Sequence, residues 1–121
     1  SSIIEKLLVS RENNSRIFVM GNGGSSSTAS HFVSDLLKTS ITKNTKRFDA
    51  ISLTDNIPVL TAWANDISYE EIFSEQLKNF IKKNDIVIAF SGSGTSKNVV
   101  KAVLRQYSYC LGWCFGLSAI S

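Results

Sequence analysis

The chain has 121 residues, 43% of them hydrophobic, and a formal net charge of +3. That size suits a single domain over residues 1–121, able to bury roughly two thirds of its unfolded surface with no internal linker. With no uninterrupted apolar run of about 20 residues and no charged-then-apolar leader, neither a membrane span nor a signal peptide is visible, and a cytoplasmic protein without a membrane partner is expected.

The opening Ser-Ser, in place of Met, points to a trimmed fragment. Residues Ile3 to Val9 place Ile3, Ile4, Leu7 and Leu8 at helical spacing, which predicts a lead helix ending in the polar run Ser10 to Ser15. Arg16 to Met20, with its apolar run Ile17 to Met20, is too short for a helix and bounded by turn residues, and it reads as a buried parallel strand. It runs into Gly21-Asn22-Gly23-Gly24-Ser25-Ser26-Ser27, after which Ala29, Phe32, Val33, Leu36 and Leu37 recur at three and four and form one inward stripe. Ser25 to Thr28 supplies candidate N-caps.

The polar loop that follows carries Lys38, Lys43, Lys46 and Arg47. Without interleaved aromatics these read as a solvated connector rather than a nucleic-acid surface. Phe48 to Leu53 alternates as a second strand. Asp55 or Asn56 can cap a short helix with Pro58 in its first turn and Leu60, Ala62 and Trp63 following, before Asn65-Asp66 interrupts. Ser68 and Glu71 form a capping-box pattern for a further helix with the stripe Ile72, Phe73, Leu77, Phe80 and Ile81. Lys82-Lys83 at its end would complement the helix dipole.

Ile86 to Phe90 is the most apolar short run and is expected at the centre of the sheet. A second turn, Ser91-Gly92-Ser93-Gly94-Thr95-Ser96, precedes Val99, Val100, Val103 and Leu104, which predict a helix, and Leu111 to Leu117 reads as a fourth strand. Cys110 and Cys114, separated by three residues in this apolar stretch, read as ordinary buried thiols on one strand face rather than as a zinc half-site or a disulfide. Strands alternating with helical segments imply βαβ units and a parallel sheet. The chain stops at Ser121 without a helix to cover the last strand, so the sheet is expected to be incomplete there.

In an open parallel sheet, ligands bind beyond the carboxyl ends of the strands, where helix N-termini also point. Both glycine-rich turns lie there. Glycine lets backbone approach a ligand, free amides donate hydrogen bonds, and the helix dipole adds positive potential, so phosphate is the natural guest. Glycine and serine also serve tight turns for their own sake, but two such turns favour a shared anion. A Walker loop would need Lys where Ser25 stands, and a dinucleotide fingerprint would need glycine where Ser26 stands. No cation lies in either turn, which suits a small phosphorylated sugar better than a triphosphate. His31 and Asp35, four apart on one helix face, can share a metal or a substrate oxygen, or simply pair with each other. Asp35 lies about 15 Å along the helix from Ser25. If both matter, the phosphate belongs to Ser91–Ser96, and the first turn and its helix meet the sugar body.

The runs GNGGSS, HFVSDL, AISLTDN, LTAWANDISYEEIF and SGSGTSKNVVKA, in this order over about residues 17–103, resemble the sugar isomerase (SIS) domain family and most closely its phosphoheptose isomerase branch. The resemblance implies a three-layer, flavodoxin-like parallel sheet flanked by helices. It also implies a homo-oligomer, dimer or tetramer, and conversion of sedoheptulose 7-phosphate to D-glycero-D-manno-heptose 7-phosphate. By resemblance, Asn22, Gly23, Gly24, Asn65 and Asp66 contact substrate, and Ser91, Gly92, Ser93 and Ser96 hold its phosphate. His31 falls on a zinc-ligand position, and Asp35 stands where the branch has a Glu that binds metal and substrate and moves the proton. The shorter carboxylate alters its reach. Lys38 and Thr39 stand near where the branch carries an Arg. The branch draws a further Gln and His from a later helix, which this chain stops short of; after Val103 the likeness ends, as a truncated, frame-shifted or divergent product would show. Isomerisation at C1 and C2, with Asp35 as base, is one expectation. A non-catalytic phosphosugar-binding or protein-interaction module is the other.

Overall fold

A computed structural model describes residues 3–109 and 114–117, with side-chain surroundings through Leu104. In chain order its first elements are α1 (Ile3–Glu12), β1 (Arg16–Gly21), α2 (Gly24–Ser34) and β2 (Asp49–Ser52). They are followed by α3 (Ile57–Asp66), α4 (Ser74–Phe80), β3 (Ile86–Phe90), α5 (Lys97–Tyr109) and β4 (Cys114–Leu117). A π-helical turn, Asp35–Thr39, extends α2, and a 3-10 turn, Tyr69–Glu71, precedes α4.

The strands form one parallel sheet in the order β2-β1-β3-β4. β1 and β3 are buried on both faces, which is why each reads as an unbroken apolar run. The pleat sends alternate side chains to opposite layers. Phe18, Met20, Val87 and Ala89 join Ile72, Phe73, Leu77, Val99 and Ala102, with Leu60 and Trp63 of α3 against them. Ile17, Val19, Ile86 and Ile88 join Ala29, Val33 and Leu36, with Ile3 and Leu7 of α1 against them. The result is three layers, α1 and α2 on one face and α3, α4 and α5 on the other, the flavodoxin-like arrangement expected from the sequence.

Buried polar groups tie the layers at named points. Asp85, 5% exposed, accepts from the Arg16 amide at 2.9 Å and the Lys82 amide at 2.8 Å, which fastens the starts of β1 and β3. Gln76 donates to the carbonyls of Leu53 and Ile72 and anchors α4 beneath β2.

Several local expectations are corrected. α1 runs on to Glu12, with Ile4 and Leu8 exposed, and β2 is shorter than the run Phe48 to Leu53. α2 starts at Gly24 with Gly23 at its N-cap and no side-chain cap, because Ser26 Oγ donates back to the Gly23 carbonyl and Thr28 Oγ1 to that of Gly24. Ser68 makes no side-chain cap, and Glu71 is drawn instead to Lys101 and Ser74. α4 ends at Phe80, so Lys82 and Lys83 lie beyond it. Leu37, Phe80, Val100 and Leu104 are exposed rather than inward, and Ala102 takes the buried place on α5. The helix cap at Asn56 is as expected, its Oδ1 accepting from the Val59 amide at 3.1 Å. Of the predicted fourth strand, Cys114–Leu117 is observed; residues 110–113, and with them the reading of the two cysteines, lie outside the described residues.

Candidate functional site

β1 is followed by α2 on one face and β3 by α5 on the other, so the strand order reverses between β1 and β3 and a crevice opens at their carboxyl ends. Register pairs Gly21 with Phe90, which brings the two turns level. A Cβ at Gly21 would sit 2.7 Å from the Ser25 carbonyl oxygen and 2.8 Å from that of Phe90, so only glycine lets the turn close against β3. Gly23, at φ +54°, takes a conformation that other residues resist.

Two amides of the first turn are used within it: that of Ser25 donates to the Asn22 carbonyl at 2.8 Å, and that of Ser26 to the Gly23 carbonyl at 2.9 Å. In the second turn the Gly94 amide donates to Ser91 Oγ at 2.9 Å and the Thr95 amide to Ser93 Oγ at 3.1 Å. A hydroxyl that accepts keeps its own O–H to donate, so these serines still present donors for an anion.

The turns are joined by side chains. Asn22 Nδ2 donates to Asn98 Oδ1 at 2.8 Å, Asn98 Nδ2 donates to Asn22 Oδ1 at 2.9 Å, and the Tyr69 hydroxyl donates to the same Asn22 oxygen at 2.8 Å. Around this cluster a cleft of about 480 Å³ is lined by Asn22, Ser68, Tyr69, Glu70, Ser96, Lys97 and Asn98. A second cavity of about 250 Å³ lies under the first turn, bounded by Gly21, Asn22, Gly23, Ser26, Thr54 and the apolar faces of α3 and Phe73. Tyr69 lines both.

Sequence reading missed Tyr69, Lys97 and Asn98. Lys97 and Asn98 directly follow Ser96, and a first helical turn at the carboxyl edge of a sheet was the signal available for them. Lys97 gives the cleft a cation that neither turn carries.

Other expected residues line neither cavity. Asn65 and Asp66, on the last turn of α3, are exposed, and Asn65 Nδ2 donates to Asp66 Oδ1 at 3.0 Å. Gly24, Gly92 and Ser93 are exposed on their turns, and Ser91 is buried beneath the second one. His31 Nε2 is 3.8 Å from Asp35 Oδ1, with the side chains 79% and 55% exposed, and neither lines either cavity. Thr39 Oγ1 donates to Asp35 at 3.3 Å. Among the described residues no group of three His, Cys, Asp or Glu side chains could hold a metal. A zinc site takes at least three protein ligands, so His31 and Asp35 alone do not fit one.

The SIS domain family pattern matches residues 2–107. Phosphoheptose isomerase of Helicobacter pylori is 44% identical over 99 residues, which is 82% of this chain and 51% of that protein. Phosphoheptose isomerase of Geotalea daltonii is 39% identical over 104 residues, 86% of this chain and 54% of that protein. The solved structure of phosphoheptose isomerase from Neisseria gonorrhoeae superposes with a TM-score of 0.84 at 29% identity, covering 94% of this chain and 58% of that one. The chain thus spans about half the length of the curated relatives it matches.

Proposed function

The chain belongs to the SIS domain family, and from that membership we propose that it is the phosphosugar-binding part of an isomerase of the phosphoheptose type. The observation that carries this reading is the meeting of two serine- and glycine-rich turns at the β1–β3 switch point, bridged by Asn22 and Asn98.

In this proposal the hydroxyls of Ser91, Ser93 and Ser96 and the amide of Gly92 hold the phosphate. Lys97 adds charge beside it. Asn22, Gly23 and Gly24 border the sugar body, with Asn65 and Asp66 contributing from α3. The substrate would be sedoheptulose 7-phosphate, and the product D-glycero-D-manno-heptose 7-phosphate. A carboxylate at Asp35 would take a proton from C1 of the open ketose and return it to C2 as the carbonyl moves from C2 to C1.

Asp35 stands about 15 Å along the helix from Ser25 in the first turn, and it lines neither cavity of its own copy. A homo-oligomer, dimer or tetramer, in which one copy presents Asp35 to another's cleft would bring the carboxylate and the phosphate turns together. Zinc on His31 and Asp35 belongs to this proposal only with donors from elsewhere, and the proton transfer by Asp35 does not depend on it. A cytoplasmic location is proposed on the same footing; no helix among the described residues is long and apolar enough to cross a membrane.

The test is isothermal titration of the chain with sedoheptulose 7-phosphate, together with a turnover assay with and without added zinc. Binding with little turnover is expected from these 121 residues. Absence of binding to any sugar phosphate would overturn the reading.

A further inference from the structure

Asn98 is a buried carboxamide, 2% exposed, on the first turn of α5, where its neighbours Val99 and Ala102 serve the core. A buried carboxamide gives up water at two N–H bonds and at its oxygen, and it persists only where those groups are matched. An apolar residue would pack there at less cost. What the polar group supplies instead is a reciprocal pair with Asn22, donating at 2.9 Å and accepting at 2.8 Å.

Asn22 needs such a partner. It follows β1 between two glycines, on backbone with little restraint of its own, and a half-buried side chain there would otherwise sample several rotamers. The Asn98 pair and the Tyr69 hydroxyl hold its oxygen from two directions. Asn98 lies two residues past the end of the second turn, so the pair also sets the distance between the two turns.

We infer that Asn98 is a positioning residue: its carboxamide fixes Asn22 and locks the first turn to the helix behind the second, so that a sugar phosphate spanning both meets a preformed site. This rests on the reading that Asn22 borders the sugar and Ser91–Ser96 the phosphate. Preorganisation of this kind raises affinity by removing the ordering cost from the binding step. The effect belongs to the sugar body, not to the phosphate.

The experiment is calorimetric titration with sedoheptulose 7-phosphate, and with inorganic phosphate as a competing probe, on Asn98→Ala, Asn98→Leu, Asn22→Ala and the double variant Asn22→Ala/Asn98→Ala. Leucine keeps the buried volume and removes both hydrogen bonds, so it serves where alanine costs the fold. Loss of the pair is expected to weaken the sugar phosphate about three- to tenfold and leave inorganic phosphate within about twofold. The double variant should bind no more weakly than Asn22→Ala, since both single changes remove one interaction. Additive losses, equal losses for the two probes, or unfolding of both Asn98 variants would overturn the inference while leaving the phosphosugar reading in place. A folded wild-type chain that binds no sugar phosphate would overturn both.

Discussion

The Cα of Gly21 lies so close to the carbonyl of Phe90 that an added Cβ would stand 2.8 Å from its oxygen. The two residues are register partners at the ends of β1 and β3, so this contact sets how closely the two turns approach. Gly21→Ala would press a methyl group against backbone, not against a side chain that can swing aside. It is expected to destabilise the fold by about 1–3 kcal/mol, read as a lower midpoint in urea unfolding. An unchanged midpoint would mean that the strand ends separate freely.

The second turn should carry the phosphate. Ser93→Ala with Ser96→Ala removes two hydroxyls while leaving the sheet untouched, and affinity for a sugar phosphate should fall about tenfold or more. Unchanged affinity in calorimetry would take that turn out of the site.

Lys97 lines the cleft without lying in either turn. Lys97→Gln should weaken a phosphorylated sugar by about two- to fivefold, the scale of an exposed charge interaction. The salt dependence of binding should shrink with it. A salt dependence identical to wild type would place the charge outside the ligand's field.

Glu71 and Lys101 pair between the 3-10 turn and α5. The hydrogen bond from Lys101 holds the Glu71 carboxyl below its ordinary value, and the same bond raises the lysine. For the lowered carboxyl, the stabilising contribution is present above the unfolded-state pKa and is lost as pH falls through the folded one. For the raised lysine it is present below the unfolded-state pKa and is lost as pH rises through the folded one. The pair therefore contributes across the neutral range and fades at both extremes. Lys101→Met should raise the Glu71 titration midpoint measured by carbon-13 NMR, and a midpoint that does not move would contradict the pairing.

Phe73 is 1% exposed and packs with Phe18, Leu77 and Val87 between α4 and the sheet. Phe73→Ala should cost about 3–5 kcal/mol, read in urea unfolding. It also borders the cavity of about 250 Å³ under the first turn, so a smaller loss would show that the space is collapsible.

What the sequence determined by itself was whatever depends on neighbours along the chain. The apolar runs of β1 and β3, the stripe Ala29, Val33 and Leu36, the Asn56 cap and the two glycine turns are local patterns, and each stands where the pattern predicted. The ordered motifs carried the family for the same reason. Tertiary structure decided the rest, because a polar side chain takes the best partner in space rather than in sequence. Glu71 resembled half of a capping box, yet Lys101, 30 residues on, claimed its carboxylate. Ser30, in the middle of α2, carried no local signal, yet its hydroxyl meets Thr54 and Asp55 just past the end of β2. Asn98 gave no periodic signal at all. It meets Asn22 across 76 residues only because parallel register sets the ends of β1 and β3 level and the switch point turns their helices to opposite faces.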